Sequence, residues 1–184
     1  MTYSVETCVL KAAMLFVSTE HTRYYLNGIH IDPAGKIVAL DGHRMFVGPL
    51  TGAPDKGFII PRDVLKRVLT GNKRVSIEFD ESQIDGQSYT PVDGTFPDWT
   101  RAVPRECNGE VAQFNLAFLG DFGKAQKILG GLNAVAVIHH NGGSGAGVSF
   151  SARDDCYGIC MPVRESAVWS PGFGYDTAPA AKAP

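Results

Sequence analysis

The chain has 184 residues, 44% of them apolar and 20% charged, and a net charge of −2. That is enough for one domain or two small ones with a real core; no apolar run approaches the roughly 18 residues that cross a bilayer, and Met1-Thr2-Tyr3-Ser4 does not open like a secretory leader, so a cytoplasmic protein with no membrane partner is expected. The charge excludes a wholesale basic nucleic-acid binder and leaves room for a local basic face.

From Ser4 to about Thr19, Val5, Val9, Ala12, Ala13, Phe16 and Val17 recur at three- and four-residue steps, which predicts a helix with Ser4 as its N-cap. A strand through Arg23-Tyr24-Tyr25-Leu26-Asn27-Gly28 follows. Asp32-Pro33-Ala34-Gly35 turns the chain into a second strand ending at Leu40. A tight Asp41-Gly42 turn then presents His43, Arg44 and Met45 at the start of a third strand, which Gly48-Pro49 closes.

The plan restarts after Thr51-Gly52-Ala53-Pro54. Gly57-Phe58-Ile59-Ile60 reads as a strand and Pro61 as the first position of a helix, where its missing N–H costs nothing. That helix runs to Leu69, stops at Gly71 and buries Val64, Leu65, Val68 and Leu69. Strands are expected at 75–79, at 83–89 and near Thr90-Pro91-Val92, ahead of Phe96-Pro97-Asp98-Trp99.

A third unit opens at Gln113-Phe114. Asn115 is the N-cap of a helix turning Phe118, Leu119, Phe122, Ala125, Ile128 and Leu129 inward; Gly120 and Gly123 each weaken it by roughly 1 kcal/mol. Strands follow at 134–140, 148–151 and 157–163. The loop Asn141-Gly142-Gly143-Ser144-Gly145-Ala146-Gly147 joins two strands rather than a strand and a helix N-terminus, so it is not a phosphate cradle. The chain is thus read as three strand-helix-three-strand units, about 1–50, 56–98 and 112–163. The Ala- and Pro-rich tail from Glu165 to Pro184 is expected to be disordered.

Candidate chemistry is sparse. Cys8, Cys107, Cys156 and Cys160 form no CxxC pair and suit reduced thiols. Cys156 and Cys160 with His139 and His140 make a poor zinc set, since the Cys spacing is weak and adjacent strand residues point to opposite faces. No nucleophile elbow or paired carboxylates are present, so neither an enzyme, a metal nor a cofactor is expected.

Five ordered motifs carry a resemblance: Arg23-Tyr24-Tyr25-Leu26-Asn27-Gly28, Asp41-Gly42-His43-Arg44-Met45, Ile60-Pro61-Arg62, Asp93-Gly94-Thr95-Phe96-Pro97-Asp98-Trp99 and Met161-Pro162-Val163-Arg164. With them the sequence resembles the bacterial DNA polymerase III β sliding clamp family. The resemblance implies an α+β DNA clamp fold, with antiparallel sheets outside and helices inside. Residues 1–100 correspond to a complete clamp domain like the family's middle one, and 112–164 to half a clamp domain like the second half of the last. The pattern is that of a minimal clamp of phage or plasmid type. A family ring holds twelve such units and this chain three, so four chains, arranged as a dimer of dimers, would complete one. The expected driving force is the apolar side of the third helix, Phe118, Phe122 and Leu129, left exposed in a lone unit.

The resemblance also implies two sites. Duplex DNA would be held without sequence preference by Lys11, Arg62, Lys66, Arg67, Lys124 and Lys127, with Lys73 and Arg74 as extra contacts. Against Glu6, Asp63 and Asp121, the six helix-borne bases leave a net of +3 on the predicted helices and −5 on the remainder. A groove for clamp-binding peptides of polymerases and repair proteins would be lined by Leu26, Leu40, Gly42, His43, Arg44, Met45, Pro97, Ala102, Ile159, Met161, Pro162, Val163 and Arg164. Leu40 is bulkier and Ala102 smaller than the family's usual residues, which implies a different peptide preference. The partners implied are duplex DNA, a polymerase, a clamp loader and further copies of the chain. The alternative is a clamp-like decoy that occupies such peptides without encircling DNA.

Overall fold

Alternation of buried Tyr3 and Val5 with Ser4 and Glu6 makes the opening residues a strand, β1 (Tyr3–Glu6), rather than a helix start. In the computed structural model, which describes residues 1–164, Ser4 exchanges backbone hydrogen bonds with Thr51 (3.0 and 2.9 Å). Ser4 therefore caps nothing: strand pairing outbids the local cap signal, and α1 (Thr7–Ala13) starts from Glu6, with a 3₁₀ turn over Met14–Phe16 in place of a longer helix. The tail expected at 165–184 lies outside the described residues.

Three strands complete the first unit: β2 (Gly28–Asp32), β3 (Lys36–Leu40) and β4 (Arg44–Pro49). The first is shorter than expected, because Tyr24–Leu26 forms a 3₁₀ turn held by Leu26 N–H to Arg23 O (2.9 Å) and Asn27 N–H to Tyr24 O (3.0 Å). The second unit is β5 (Phe58–Pro61), α2 (Arg62–Leu69), β6 (Ser76–Phe79), β7 (Gln83–Ile84) and β8 (Gln87–Ser88). The single strand expected at 83–89 is a small hairpin about Asp85-Gly86, both at positive φ, and 90–92 is no strand; Val92 N–H only reaches Ile59 O at 3.0 Å. The third unit is α3 (Leu116–Gly130), β9 (Ala136–His139), β10 (Ala146–Phe150) and β11 (Arg153–Cys160). Its expected opening strand at Gln113-Phe114 is absent, whereas Asn115 does cap α3, accepting from Ala117 N–H at 2.9 Å.

All pairings are antiparallel, in a four-stranded sheet β1-β6-β7-β8 and a seven-stranded sheet β5-β2-β3-β4-β11-β10-β9. The joint between first and third units is the β4–β11 pairing, Arg44↔Cys160 to Val47↔Tyr157. It lays α2 over β5 and β2, α1 over β3 and β4, and α3 over β11 and β9, so all three helices share one side of the long sheet.

That joint overturns one expectation. Phe122 is not exposed in a lone unit; it is 2% exposed, with its ring centroid 4.8 Å from Phe16 of the first unit and 6.5 Å from Phe150. Phe118, Leu119 and Leu129 are partly buried beside it, and Ile128, expected inward, is 37% exposed. Gly158 makes the room: a Cβ there would lie 2.3 Å from the Phe122 ring. Arg153 on β11 adds a polar clasp, donating to both carboxylate oxygens of Glu6 (2.8 and 3.0 Å) and to Asp155. Burying a phenylalanine contributes about 1.5–3 kcal/mol, far more than an exposed ion pair, so apolar packing holds the third unit to the first.

Candidate functional site

Strand alternation divides the long sheet's residues between two faces. Ile37, Ala39, Phe46, Cys156 and Cys160 meet the helices, while Val38, Met45, Val47 and Ile159 form a second small core on the opposite, outer face. The segment 96–103 lies over that outer core and contributes Phe96, Trp99 and Val103. Two contacts pin it. Trp99 Nε1 donates to Asp32 Oδ2 at 2.8 Å, and Phe96 stacks on His30 with centroids 4.4 Å apart and planes at 7°. A 3₁₀ turn, Trp99–Ala102, then leads into the connector.

Beside this segment opens a cleft of about 550 Å³, between connector residues 101–106, the glycine loop and Met161. Gly145 lies close enough that a Cβ would stand 3.0 Å from Ile159 Cγ2 and 3.3 Å from Met161 Sδ. Met161, 40% exposed, joins Ala102, Val103 and Pro104 as the apolar part of the wall, and its N–H is held by His43 O at 2.8 Å.

The structure brings together some of the predicted groove residues and separates others. Leu40, Met45 and Ile159 belong to the outer core, and Ala102 and Met161 line the adjoining cleft. Leu26 is buried in its 3₁₀ turn; Pro97 and Arg164 are exposed, Pro162 and Val163 half-buried, and Val163 N–H donates to Gln113 O at 2.8 Å. Arg44 turns to the helix side instead. Its side chain, 12% exposed, pairs with Asp41 (2.9 Å) and with Asp121 of α3, and its guanidinium lies 4.9 Å from the Phe118 ring centroid and 5.5 Å from that of Phe16. His43 stacks on Phe118 at 5.3 Å. The turn between them is as expected: Gly42 has φ +93°, and Asp41 Oδ1 accepts from the N–H groups of His43 (2.9 Å) and Arg44 (3.0 Å). Burial alone would raise the Asp121 carboxyl, but the hydrogen bonds and charges of Lys124 and Arg44 outweigh it and hold the group below its ordinary value.

Sequence reasoning passed over Arg101, Arg105, Asn141 and Ser144, all on the cleft wall. The glycine loop was conspicuous in the sequence, but its use here, close backbone approach to Met161, leaves no local pattern. Among the described residues Arg101 and Arg105 form no ion pair, so they are the cleft's available cations, opposed there by Glu106.

On the helix side, α1, α2 and α3 carry Lys11, Arg62, Lys66, Arg67, Lys124 and Lys127 against Asp63 and Asp121, six basic groups to two acidic, a net of +4. Glu6, counted earlier with the first helix, lies just outside it. Lys66, Arg67, Lys73, Arg74, Lys124 and Lys127 are exposed. A hollow of about 410 Å³ collects Lys11, Lys73 and Arg74 between α1, residues 72–75 and Ile128 of α3; an adjoining one of about 570 Å³ adds Arg67. Lys11 Nζ donates to Asn72 O (3.1 Å), Arg74 pairs with Asp85, and Lys124 with Asp121 (2.7 Å).

Burial pushes the thiols of Cys156 and Cys160 up to about 12 and about 11, which makes neither a thiolate nucleophile near neutrality. Among the described residues no group of three or more His, Cys, Asp or Glu gathers as metal ligands, and no helix is long and apolar enough to cross a membrane.

Antiparallel sheets outside, helices together on one side and a repeated strand-helix-three-strand plan define the DNA-clamp fold, in the α+β class. The chain is similar to the bacterial β sliding clamps in sequence and in fold. It is 30% identical over 115 residues to the beta sliding clamp of Caulobacter vibrioides, an alignment covering 49% of this chain and 30% of that protein. With the Escherichia coli K12 beta sliding clamp it shares 26% over 113 residues, 53% of this chain and 31% of that one. The match thus spans about a third of the curated relatives' length. A solved DNA polymerase sliding clamp of Pseudomonas aeruginosa superposes with a TM-score of 0.65 at 20% identity, covering 89% of this chain and 66% of that one. The sliding clamp of Bartonella birtlesii gives 0.62 at 18%, with the same coverage. At such identities the structural likeness establishes the fold. No family model matches the chain.

Proposed function

We propose that the protein is a minimal sliding clamp. Copies of the chain close into a ring around duplex DNA, and the ring tethers a polymerase or other replication protein through a peptide bound on the outer face. It acts by topology, without chemistry of its own. The observation that carries this reading is the two-faced sheet: three helices with a net of +4 on one side, and the outer core with its cleft at Met161 on the other. A lining of that kind suits phosphates met without sequence preference, and a methionine-walled slot suits apolar peptide anchors.

The ring would hold four chains, each supplying one complete domain (1–100) and one half domain (112–164), with a clamp loader opening it in the cytoplasm of a bacterial host. Its assembly does not run through Phe122, which the first unit already covers. The test is retention on DNA. Protein bound to a nicked circle is expected to survive a high-salt wash and to run off once the circle is cut; equal loss from circle and linear DNA would defeat encirclement. One observation favours a second reading. The outer core on paired β4 and β11 and the cleft beside it are built within one chain, so a lone chain could hold a clamp-binding peptide as a decoy. Peptide binding without retention on circles is the outcome that supports it.

A further inference from the structure

The first two units close one another by exchanging their leading strands. β1, leading the first unit, pairs with β6 of the second, and β5, leading the second, pairs with β2 of the first. The exchange also satisfies the first free N–H of each helix: Thr7 N–H donates to Val75 O at 2.8 Å and Arg62 N–H to Asn27 O at 2.9 Å.

The third unit is set up for the same exchange and has no counterpart among the described residues. Its leading segment takes the equivalent station. Gln113, three residues ahead of α3, accepts from Val163 N–H just beyond β11, as Ser4, three residues ahead of α1, bonds to Thr51 just beyond β4. Yet among the described residues Gln113 belongs to no sheet and the Leu116 N–H has no backbone acceptor, while Leu116 is 81% exposed.

The receiving half of the exchange is open too. Following the registers outward, Gly48 and Cys160 are equivalent, then Ile37 and Ala146, which equates Ile29 of β2 with Ile138 of β9 and His30 with His139. β2 carries β5 on its outer edge. On β9 the chain's own connector stops short: Gly109 N–H reaches His140 O (3.0 Å) and Gly142 N–H reaches Glu110 O (2.8 Å), and beyond that, among the described residues, Ala136 and Ile138 have no backbone partner except on β10. Val135 and Val137 are 56% and 45% exposed there. A bare edge of this kind is a template for another strand.

We infer that the occupant is a second copy of the chain, the two third units exchanging residues 113–115 reciprocally. Phe114 then lies opposite the partner's Ile138, Gln113 opposite the partner's His139, and the Leu116 N–H donates to the partner's Ala136 O. A second copy is singled out because donor segment and open edge are complementary halves carried by the same unit, so one two-fold contact satisfies both at once. The inference rests on the homo-oligomer of the proposed function and names the surface that builds it.

The test uses the full chain with exposed Cys107 replaced (Cys107→Ser). One preparation carries Gln113→Cys, the other His139→Cys; both sites are exposed. Directly opposed strand residues lie within disulfide reach, so mixing the two under mild oxidant is expected to yield a covalent dimer, at least tenfold more than either preparation alone. In the mixture that disulfide can form only between copies. No mixed disulfide, while light scattering still reports an oligomer, would overturn this interface and leave the ring standing; a monomer at micromolar concentration would overturn both.

Discussion

Replacing Arg44 with alanine is expected to unsettle the fold rather than merely empty a binding groove. The guanidinium bridges Asp41 of the first unit and Asp121 of the third, with its side chain 12% exposed and each carboxylate 17%, and it packs against Phe16 and Phe118. Removing one partner of a buried pair costs about 3–5 kcal/mol, because the charges left behind are poorly solvated. Here Lys124 stays 2.7 Å from Asp121 and some water reaches the carboxylates, so Arg44→Ala is set at about 2–3 kcal/mol. With an m-value of roughly 1–3 kcal/mol/M in urea, the midpoint should fall by about 0.7–3 M at unchanged m. Circular dichroism during urea titration reads this directly, and the Arg44→Ala/Asp121→Ala double variant should recover about 1 kcal/mol or more of the summed single losses. A midpoint within about 0.3 M of the parent's would refute the account. The acid limb supplies a sign. Asp121 is held below its ordinary value in the folded protein, so its contribution is complete above the unfolded carboxylate's pKa of ~3.9 and is lost as pH falls through the folded value. The gap between parent and Arg44→Ala should therefore narrow below pH ~4.

Met161→Ala is the cleaner probe of the outer face. With the side chain 40% exposed, stability should change by under about 1 kcal/mol, while a polymerase-derived peptide loses about tenfold or more in a fluorescence titration; unchanged affinity would remove the cleft from the binding site. Gly158→Ala pushes a methyl into the Phe122 ring, 2.3 Å away, and should destabilise by about 1–3 kcal/mol, seen as faster hydrogen exchange in α3; normal protection there would contradict the packing. Lys66→Gln, Arg67→Gln and Lys73→Gln together should lower the slope of log affinity for duplex DNA against log salt by up to about 2.7, at ~0.9 for each phosphate no longer neutralised. An unchanged slope would place the DNA elsewhere.

The three-unit plan was legible in the sequence because its signals are local. Val64, Leu65 and Val68 on one helical face, the oxygen of Asn115 beside α3's free N–H groups and the Asx geometry of Asp41-Gly42 each need only a few neighbouring residues, and each stands in the structure. Ordered motifs such as Asp93 to Trp99 likewise pointed to the clamp fold. Where a distant partner competed, local signals lost: Ser4 became a strand residue because Thr51 and Glu78 pair with it. Alternation along β4 already puts Met45 and Arg44 on opposite faces, a local signal that the reading of both as one groove left unused. That Arg44 is tied down by Asp121, 77 residues away, and that the glycine loop walls the cleft at Met161, was not legible. Those points follow from contacts between distant segments. The pairing of β4 with β11 crosses more than a hundred residues, and backbone hydrogen bonds over that distance carry no side-chain signature in either segment. Yet that one pairing buries Phe122, sets α3 beside α1 and leaves the edge of β9 open.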